Sequence, residues 1–267
     1  MIYLKSYCYS KHELPFIKAQ LDESKGYVDK FILYEYDVSH MGTEKPYELD
    51  GMLPDDDRLV YKKISIKDLC ETDAKKAHTV NEVIQRCYFF NDPDIILDDD
   101  DIIFDVDVDE IIYSDCYPKL INNYKDPLSI RLNQFFFKHT YLWTDCGFAA
   151  PCVYNYRYIR STFYNLKNLK VTTKTRYHNN KTESICGCHM SWVMPVSYMV
   201  KKLTMYAHAE YKKFADVGVL KKAIDDKKYI FDPKVSFNID ELELTDYRIP
   251  TSLRSDNLFE YLTINSS

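Results

Sequence analysis

"DDDDIIFDVDVDEII" occupies residues 98–112, where the pattern of a buried strand meets a dense cluster of carboxylates. The apolar run 102–104 is typical of a strand that is buried on both faces, as in a parallel sheet. Burying an unpaired carboxylate is costly, so such a cluster needs a cation, a helix end or open water. The stretch therefore predicts a central strand with a functional site at its end.

The residues before this stretch alternate between strand and helix patterns. Such alternation favours an α/β fold, here a Rossmann-like mixed sheet flanked by helices. Ligands of these sheets bind beyond the carboxyl ends of the strands, where Asp107 and Asp109 are expected. The predicted strands are 2–8, 28–36 and 58–66, and the predicted helices are 13–21 and 76–90.

The second half of the chain is more aromatic and less regular. Residues 129–143 predict one strand, and residues 196–214 have a helical pattern. The run Phe135–Phe137, together with Tyr141 and Trp143, predicts either core packing or an exposed platform on which a sugar could stack.

Bulk composition limits the classes of partner. The chain has 267 residues and a net charge of −6 without a basic block, so we expect no binding to nucleic acid or anionic membranes. The start MIYLKSYCYS resembles a strand and not a signal peptide, and no apolar run approaches the length of a membrane span. Eight dispersed cysteines suggest reduced thiols. We therefore expect a cytoplasmic protein without an integral membrane segment.

The acidic strand allows three interpretations. Its alternating Asp and Val residues could form a half-exposed strand edge without function. Asp107 and Asp109 could bind Mn²⁺ or Mg²⁺, which in turn would bind the diphosphate of a sugar nucleotide. "FDVDV" at 104–108 also resembles the start of a haloacid dehalogenase-type phosphatase, with Asp105 as nucleophile, Asp107 as acid and Asp225-Asp226 as a second acidic pair.

Six segments, in family order, resemble glycosyltransferase family 17, which includes the bisecting β-1,4-N-acetylglucosaminyltransferases. Cys188 and Ile112 stand where that family usually has Trp and Pro. The segments are "HELPFIKAQL" (12–21), "VDKFILYEYDVSHMGTEKP" (28–46), "NEVIQR" (81–86), "DVDEI" (107–111), "GCHMSW" (187–192) and "KLTMYAHAE" (202–210).

The resemblance implies a GT-A fold, a nucleotide-sugar donor that is commonly UDP-linked, a divalent cation and inversion at the anomeric carbon. It also implies an oligosaccharide or glycoprotein acceptor. Residues 1–115 would then form the donor-binding half and 116–267 the acceptor-binding half of one compact domain. A protein that kept this fold but lost turnover would instead be a carbohydrate-binding protein.

Under this hypothesis each candidate residue has a role. Asp107, Asp109 and His189 would bind Mn²⁺ or Mg²⁺. Glu210 and Asp145 are the candidates for the general base that an inverting transfer needs. The donor would be held by Glu35, Arg86, Asp107, Lys202 and His208.

Overall fold

The computed structural model describes residues 1–68, 71, 77–123, 127–162, 176, 178–205, 209–232 and 234–264, except for the side chains of residues 78, 123, 209, 210, 263 and 264. Within this part of the chain, ten strands form one mixed sheet and helices pack on its faces. The predicted α/β class is thereby confirmed. No helix in the described part is long and apolar enough to cross a membrane.

The described strands and helices are numbered in chain order. The strands are β1 (Ile2–Cys8), β2 (Lys30–Tyr36), β3 (Leu59–Ile64), β4 (Ile102–Asp105), β5 (Glu110–Ile112), β6 (Leu128–Phe136), β7 (Tyr141–Phe148), β8 (Cys152–Asn155), β9 (Lys181–Ser191) and β10 (Ile239–Glu241). The helices are α1 (Leu14–Glu23), α2 (Ala77–Cys87), α3 (Tyr117–Asn123), α4 (Tyr156–Thr162), α5 (Val196–Met205), α6 (Val217–Asp225) and α7 (Tyr261–Ile264).

The first four strands are parallel and lie in the order β3-β2-β1-β4. The chain leaves β1 towards β2 on one side, while β4 returns on the other side of β1. The strand order thus reverses at β1, which makes the end of this strand a topological switch point. A crevice forms there, because the connections from the two neighbouring strands diverge. The parallel half of the sheet therefore creates a ligand-sized opening beyond β1 and β4.

Side chains of β4 alternate between two apolar clusters on opposite faces of the sheet. Phe104 packs in a cluster with Leu4 of β1 and Ile17 of α1. Ile103 packs in the other cluster, together with Ile84 of α2. Because the side chains of a strand alternate between its faces, the two helices cover opposite sides of the sheet and bury both.

The antiparallel half begins with β8, which pairs with β4, and continues through β6, β7 and β10. The long strand β9 pairs parallel with β6 and antiparallel with β5. In this register His189 lies opposite both Glu110 and Gln134. Strand β9 thus carries residues of the second half to the end of the parallel sheet.

Two predicted elements differ from the structure. Residues 129–143 form a hairpin of β6 and β7, because Phe137 has a φ of 69° and the chain turns back after it. The predicted helix 196–214 ends at Met205 and is followed by a 3-10 helix over Ala209–Phe214. The aromatic side chains of 135–143 are buried in the core, so they do not form an acceptor platform.

Candidate functional site

A cleft of about 200 Å³ opens beyond the carboxyl ends of β1, β2 and β4. Tyr7 and Tyr9 come from the end of β1, His40 follows β2, and the segment 107–110 follows β4. Other wall residues come from α2, β7, β9 and α5, and Glu13 and Arg176 also line the cleft. The cleft therefore lies at the switch point of the sheet, where ligands of open α/β folds bind.

The acidic stretch lines this cleft through a turn and not through a strand. Strand β4 ends at Asp105, and the chain turns before β5 begins at Glu110. Val106 and Val108 are buried in the core below the turn. Buried and partly exposed positions alternate along this turn, and the partly exposed Asp107 and Asp109 line the cleft.

The turn is held in shape from below by α1. The buried Gln20 amide donates hydrogen bonds to the backbone oxygens of Asp107 (2.8 Å) and Glu110 (3.0 Å). The backbone N–H of Asp107 donates in turn to Glu110 Oε2 (2.6 Å). Several hydrogen bonds therefore fix the direction in which the two aspartates project.

Asp107 lies between two arginines. Arg86 of α2 donates to both of its carboxylate oxygens, at 2.6 and 3.0 Å, and Arg176 Nη1 lies 2.9 Å from Oδ2. Arg176 also donates to Glu110, and the Arg86 guanidinium lies 5.2 Å from the ring centre of Tyr7. Burial raises the pKa of the Asp107 carboxyl, but the two guanidinium groups outweigh it and hold that pKa well below its usual range.

Asp109 faces His189 instead. Gln134 Nε2 donates to the backbone oxygen of Phe135, so its Oε1 accepts from His189 Nδ1 at 2.9 Å. This bond places a proton on Nδ1 and directs Nε2 at Asp109 Oδ2, 3.7 Å away. Phe148 packs on the imidazole with ring centres 4.0 Å apart. Burial raises the pKa of the Asp109 carboxyl, but the neighbouring His189 outweighs this effect and lowers that pKa. The space between the two side chains suits a proton or a cation.

The charge of the cleft also favours a cation. The described lining has an excess of two negative charges with every carboxylate ionised, and of one with Glu13 protonated, which would repel a free diphosphate. A divalent cation would cancel this excess. Burial lowers the pKa of His40 to about 4, so this imidazole adds no positive charge at neutral pH. The carboxylates are Glu13, Glu82, Asp107, Asp109 and Glu110, and the permanent cations are Arg86, Arg176 and Lys202.

The predicted metal ligands fit a cation only in part. Both carboxylate oxygens of Asp107 are engaged by Arg86 and Arg176. Among the residues that the structure describes, no three His, Cys, Asp or Glu side chains are grouped closely enough to hold a metal by themselves. Asp109 and His189 remain as a pair of ligands. Mg²⁺ commonly takes one or two protein ligands and completes its shell with phosphate oxygens and water.

Other predicted donor and base residues lie elsewhere. Glu35 is fully buried and accepts hydrogen bonds from the backbone of Glu48 and Leu49, so it holds a loop and does not line the cleft. Asp145 lies outside the cleft on β7, where Ser236 donates to it. His208 and the side chain of Glu210 lie outside the described residues.

The phosphatase interpretation is disfavoured by the geometry. The Asp105 carboxylate is buried, lies 2.8 Å from Lys5 Nζ and accepts from the Tyr154 hydroxyl at 2.9 Å. A nucleophile must reach its substrate, and Asp105 does not line the cleft. Asp226, at the end of α6, pairs with Lys222 on the surface.

Sequence reasoning missed two charged residues of the cleft. Arg176 belongs to none of the six motifs, and no local pattern marks it as a partner of Asp107 and Glu110. Glu13 stands inside the first motif without an assigned role, although it lines the cleft. The position of Glu13, shortly after the first strand and at the start of a helix, was the one feature of the sequence that could have placed it in the cleft.

Comparison with known proteins adds nothing to this geometry. No protein-family model matches the chain, and no curated protein matches it.

Proposed function

We propose that this protein is a metal-dependent, inverting glycosyltransferase of GT-A type that uses a nucleotide sugar, most simply a UDP-sugar. The observation that carries the proposal is the Asp109–His189 pair, whose carboxylate oxygen and imidazole nitrogen lie 3.7 Å apart in a cleft with excess negative charge. This cleft lies at the switch point of a parallel sheet, the usual site of nucleotide ligands. The six-motif resemblance to glycosyltransferase family 17 supports the same reaction class.

Asp109 and His189 would hold the cation, and diphosphate oxygens would complete its coordination. Bound there, Mn²⁺ or Mg²⁺ would neutralise the charge that builds up on the departing nucleoside diphosphate. Gln134 fixes the tautomer that a ligating imidazole requires.

In this proposal Lys202 is the second positive charge that contacts the diphosphate, after the metal ion. It extends from α5 into the cleft and lies 5.2 Å from the ring centre of Trp192. An ammonium in this position would stabilise a diphosphate that carries more negative charge in the transition state than in the ground state. Arg86 and Arg176 are engaged with carboxylates, so their main task is to hold the acidic turn.

The acceptor in this proposal is a hydroxyl group of an oligosaccharide or glycoprotein. N-acetylglucosamine is the sugar that the family resemblance suggests, and glucose or xylose would fit the same charged residues. Inversion requires the acceptor oxygen to attack opposite the leaving diphosphate, with a base removing its proton.

Binding of UDP-N-acetylglucosamine, UDP-glucose and UDP-xylose should be measured by calorimetry, with Mn²⁺ and with a chelator. We expect one donor to bind only with Mn²⁺, and Asp109→Ala to lose this binding. Asp55→Ala removes an exposed carboxylate outside the cleft and is the control. Equal binding with chelator, or no binding of any donor with Mn²⁺, would contradict the proposal.

A further inference from the structure

Glu13 differs from every other carboxylate in the described lining of the cleft. The other four each pair with an arginine or histidine. Glu13 forms no ion pair with any described residue, although only 7% of it is exposed. A buried carboxylate without a counter-ion is expensive, and its presence in a cleft points to a chemical role.

The Glu13 carboxylate is oriented by one of its oxygens only. Oε2 accepts from the backbone N–H groups of Tyr9 (2.5 Å) and Ser10 (3.2 Å) and from the Cys8 thiol (3.2 Å). Among the described residues, none donates a hydrogen bond to Oε1. The side chain is therefore held rigidly and keeps one acceptor oxygen for a ligand.

A purely structural role does not account for this residue. Glu13 closes a capping box with Ser10, and a glutamine fulfils that function equally well. The carboxylate is thus not needed for the cap, while its burial disfavours the charged form. Burying a glutamate here costs more than burying a glutamine would. This cost is explained if the carboxylate accepts a proton in the reaction.

We propose that Glu13 is the general base of the transfer. It would take the proton of the acceptor hydroxyl while the acceptor oxygen forms its bond to the anomeric carbon. The bond from that carbon to the diphosphate oxygen breaks in the same step, and the nucleoside diphosphate leaves with the electron pair. The proton then passes from Glu13 to water. This assignment rests on the proposed glycosyltransferase function and replaces Asp145, which lies outside the cleft.

The electrostatic surroundings suit a base that works near neutral pH. Burial raises the pKa of Glu13 to about 7, a rise that Asp109 reinforces and Lys202 opposes. An efficient general base has a pKa near the operating pH. The titratable and charged groups that face Glu13 are Cys8, Tyr9, Asp109, Lys202 and Tyr261.

The test compares Glu13→Gln with wild type for donor binding and for UDP release. UDP-N-acetylglucosamine, UDP-glucose and UDP-xylose serve as donors with Mn²⁺, and water and a panel of methyl glycosides serve as acceptors. We expect the variant to bind its donor with an unchanged Kd and to release UDP at least about 100-fold more slowly. Glu48→Gln is the matched control, because Glu48 contacts the same turn at Ser10 but does not line the cleft. Its rate should stay within about twofold of wild type.

Each outcome decides the question. A Glu13→Gln variant that releases UDP at the wild-type rate overturns the base while the transferase function stands. Donor binding without turnover in the wild type identifies a carbohydrate-binding protein and overturns the base as well. If Glu13→Gln does not fold, Glu13→Asp decides, because withdrawing the carboxylate by one methylene should leave the donor Kd unchanged and slow UDP release at least about tenfold. A Glu13→Asp variant that releases UDP at the wild-type rate refutes the assignment.

Discussion

Replacing Asp107 with asparagine distinguishes two possible roles of this carboxylate, as a structural counter-ion and as a metal ligand. In the structure this carboxylate is the counter-ion of Arg86 and Arg176, whose side chains are only 15% and 4% exposed. Asparagine keeps the shape but removes the charge, so two buried guanidinium groups lose their shared partner. Breaking a buried ion pair costs about 3–5 kcal/mol. Because Asp107 is partly exposed, we expect the free energy of unfolding to fall by about 3 kcal/mol.

The unfolding free energy is measured by urea titration of wild type, Asp107→Asn and Asp109→Asn. We expect Asp107→Asn to lower it by about 3 kcal/mol, equivalent to a fall in Tm of about 6–12 °C. Asp109→Asn should change it by less than about 1 kcal/mol, because the ionic contact of Asp109 with His189 is 3.7 Å long. Calorimetric titration with Mn²⁺ should show the opposite ranking, with the greater loss of affinity in Asp109→Asn.

The reasoning is refuted if Asp107→Asn unfolds like wild type and loses Mn²⁺ affinity. That result would show that Asp107 is a metal ligand in solution and that its pairing with the two arginines does not persist. A loss of stability in both variants, without a change in Mn²⁺ affinity, would make the acidic turn a structural feature only.

Three other predictions use matched pairs of variants. Lys202→Met should weaken UDP binding in the presence of Mn²⁺ by about tenfold. Lys201→Met, which loses contacts with Glu48 and Tyr198 outside the cleft, should leave this Kd unchanged in the same titration. Gly187→Ala should lower the unfolding free energy by about 3 kcal/mol, since its Cβ would lie 2.1 Å from the Ile111 backbone oxygen. Gly147→Ala, with no atom within 4 Å of the new Cβ, is its control; equal melting temperatures for these two variants would contradict the packing of β9 on β5. Because the folded-state pKa of Glu13 is raised from 4.5 to about 7, the folded state binds the proton more tightly, and stability falls as pH rises through that window. Relative to Glu13→Gln, wild type should lose about 3 kcal/mol of unfolding free energy between about pH 4 and 8. If the denaturation midpoints of wild type and Glu13→Gln differ by the same amount across this range, the result would argue against the raised pKa of Glu13.

Local pattern was sufficient to predict the first half of the fold. The apolar residues of 2–8 and 28–36 alternate with a helix whose Leu14, Ile17 and Leu21 share one face, and the structure has β1, α1 and β2 there. Hydrophobic periodicity indicates both the type of an element and its buried face. These two properties can therefore be predicted without knowing which other elements it packs against. The same argument placed Asp107 and Asp109 at the end of a central strand.

The partners of these aspartates were decided by the tertiary structure. Sequence spacing suggested that Asp107 and Asp109 act together on one cation, yet the fold gives Asp107 two arginines and Asp109 a histidine. These contacts depend on the register of β9 against β5 and β6 and on how α2 packs against the sheet. No local pattern records such long-range geometry.

The sequence by itself determined that this is an α/β protein with an acidic site beyond its fourth strand, because burial and periodicity are local properties. Only the tertiary structure decided which carboxylates are neutralised and which one, Glu13, is left without an ionic partner among the described residues. The reason is physical: the free energy of a charge depends on burial and on neighbours within a few ångströms, and folding brings those neighbours from distant parts of the chain.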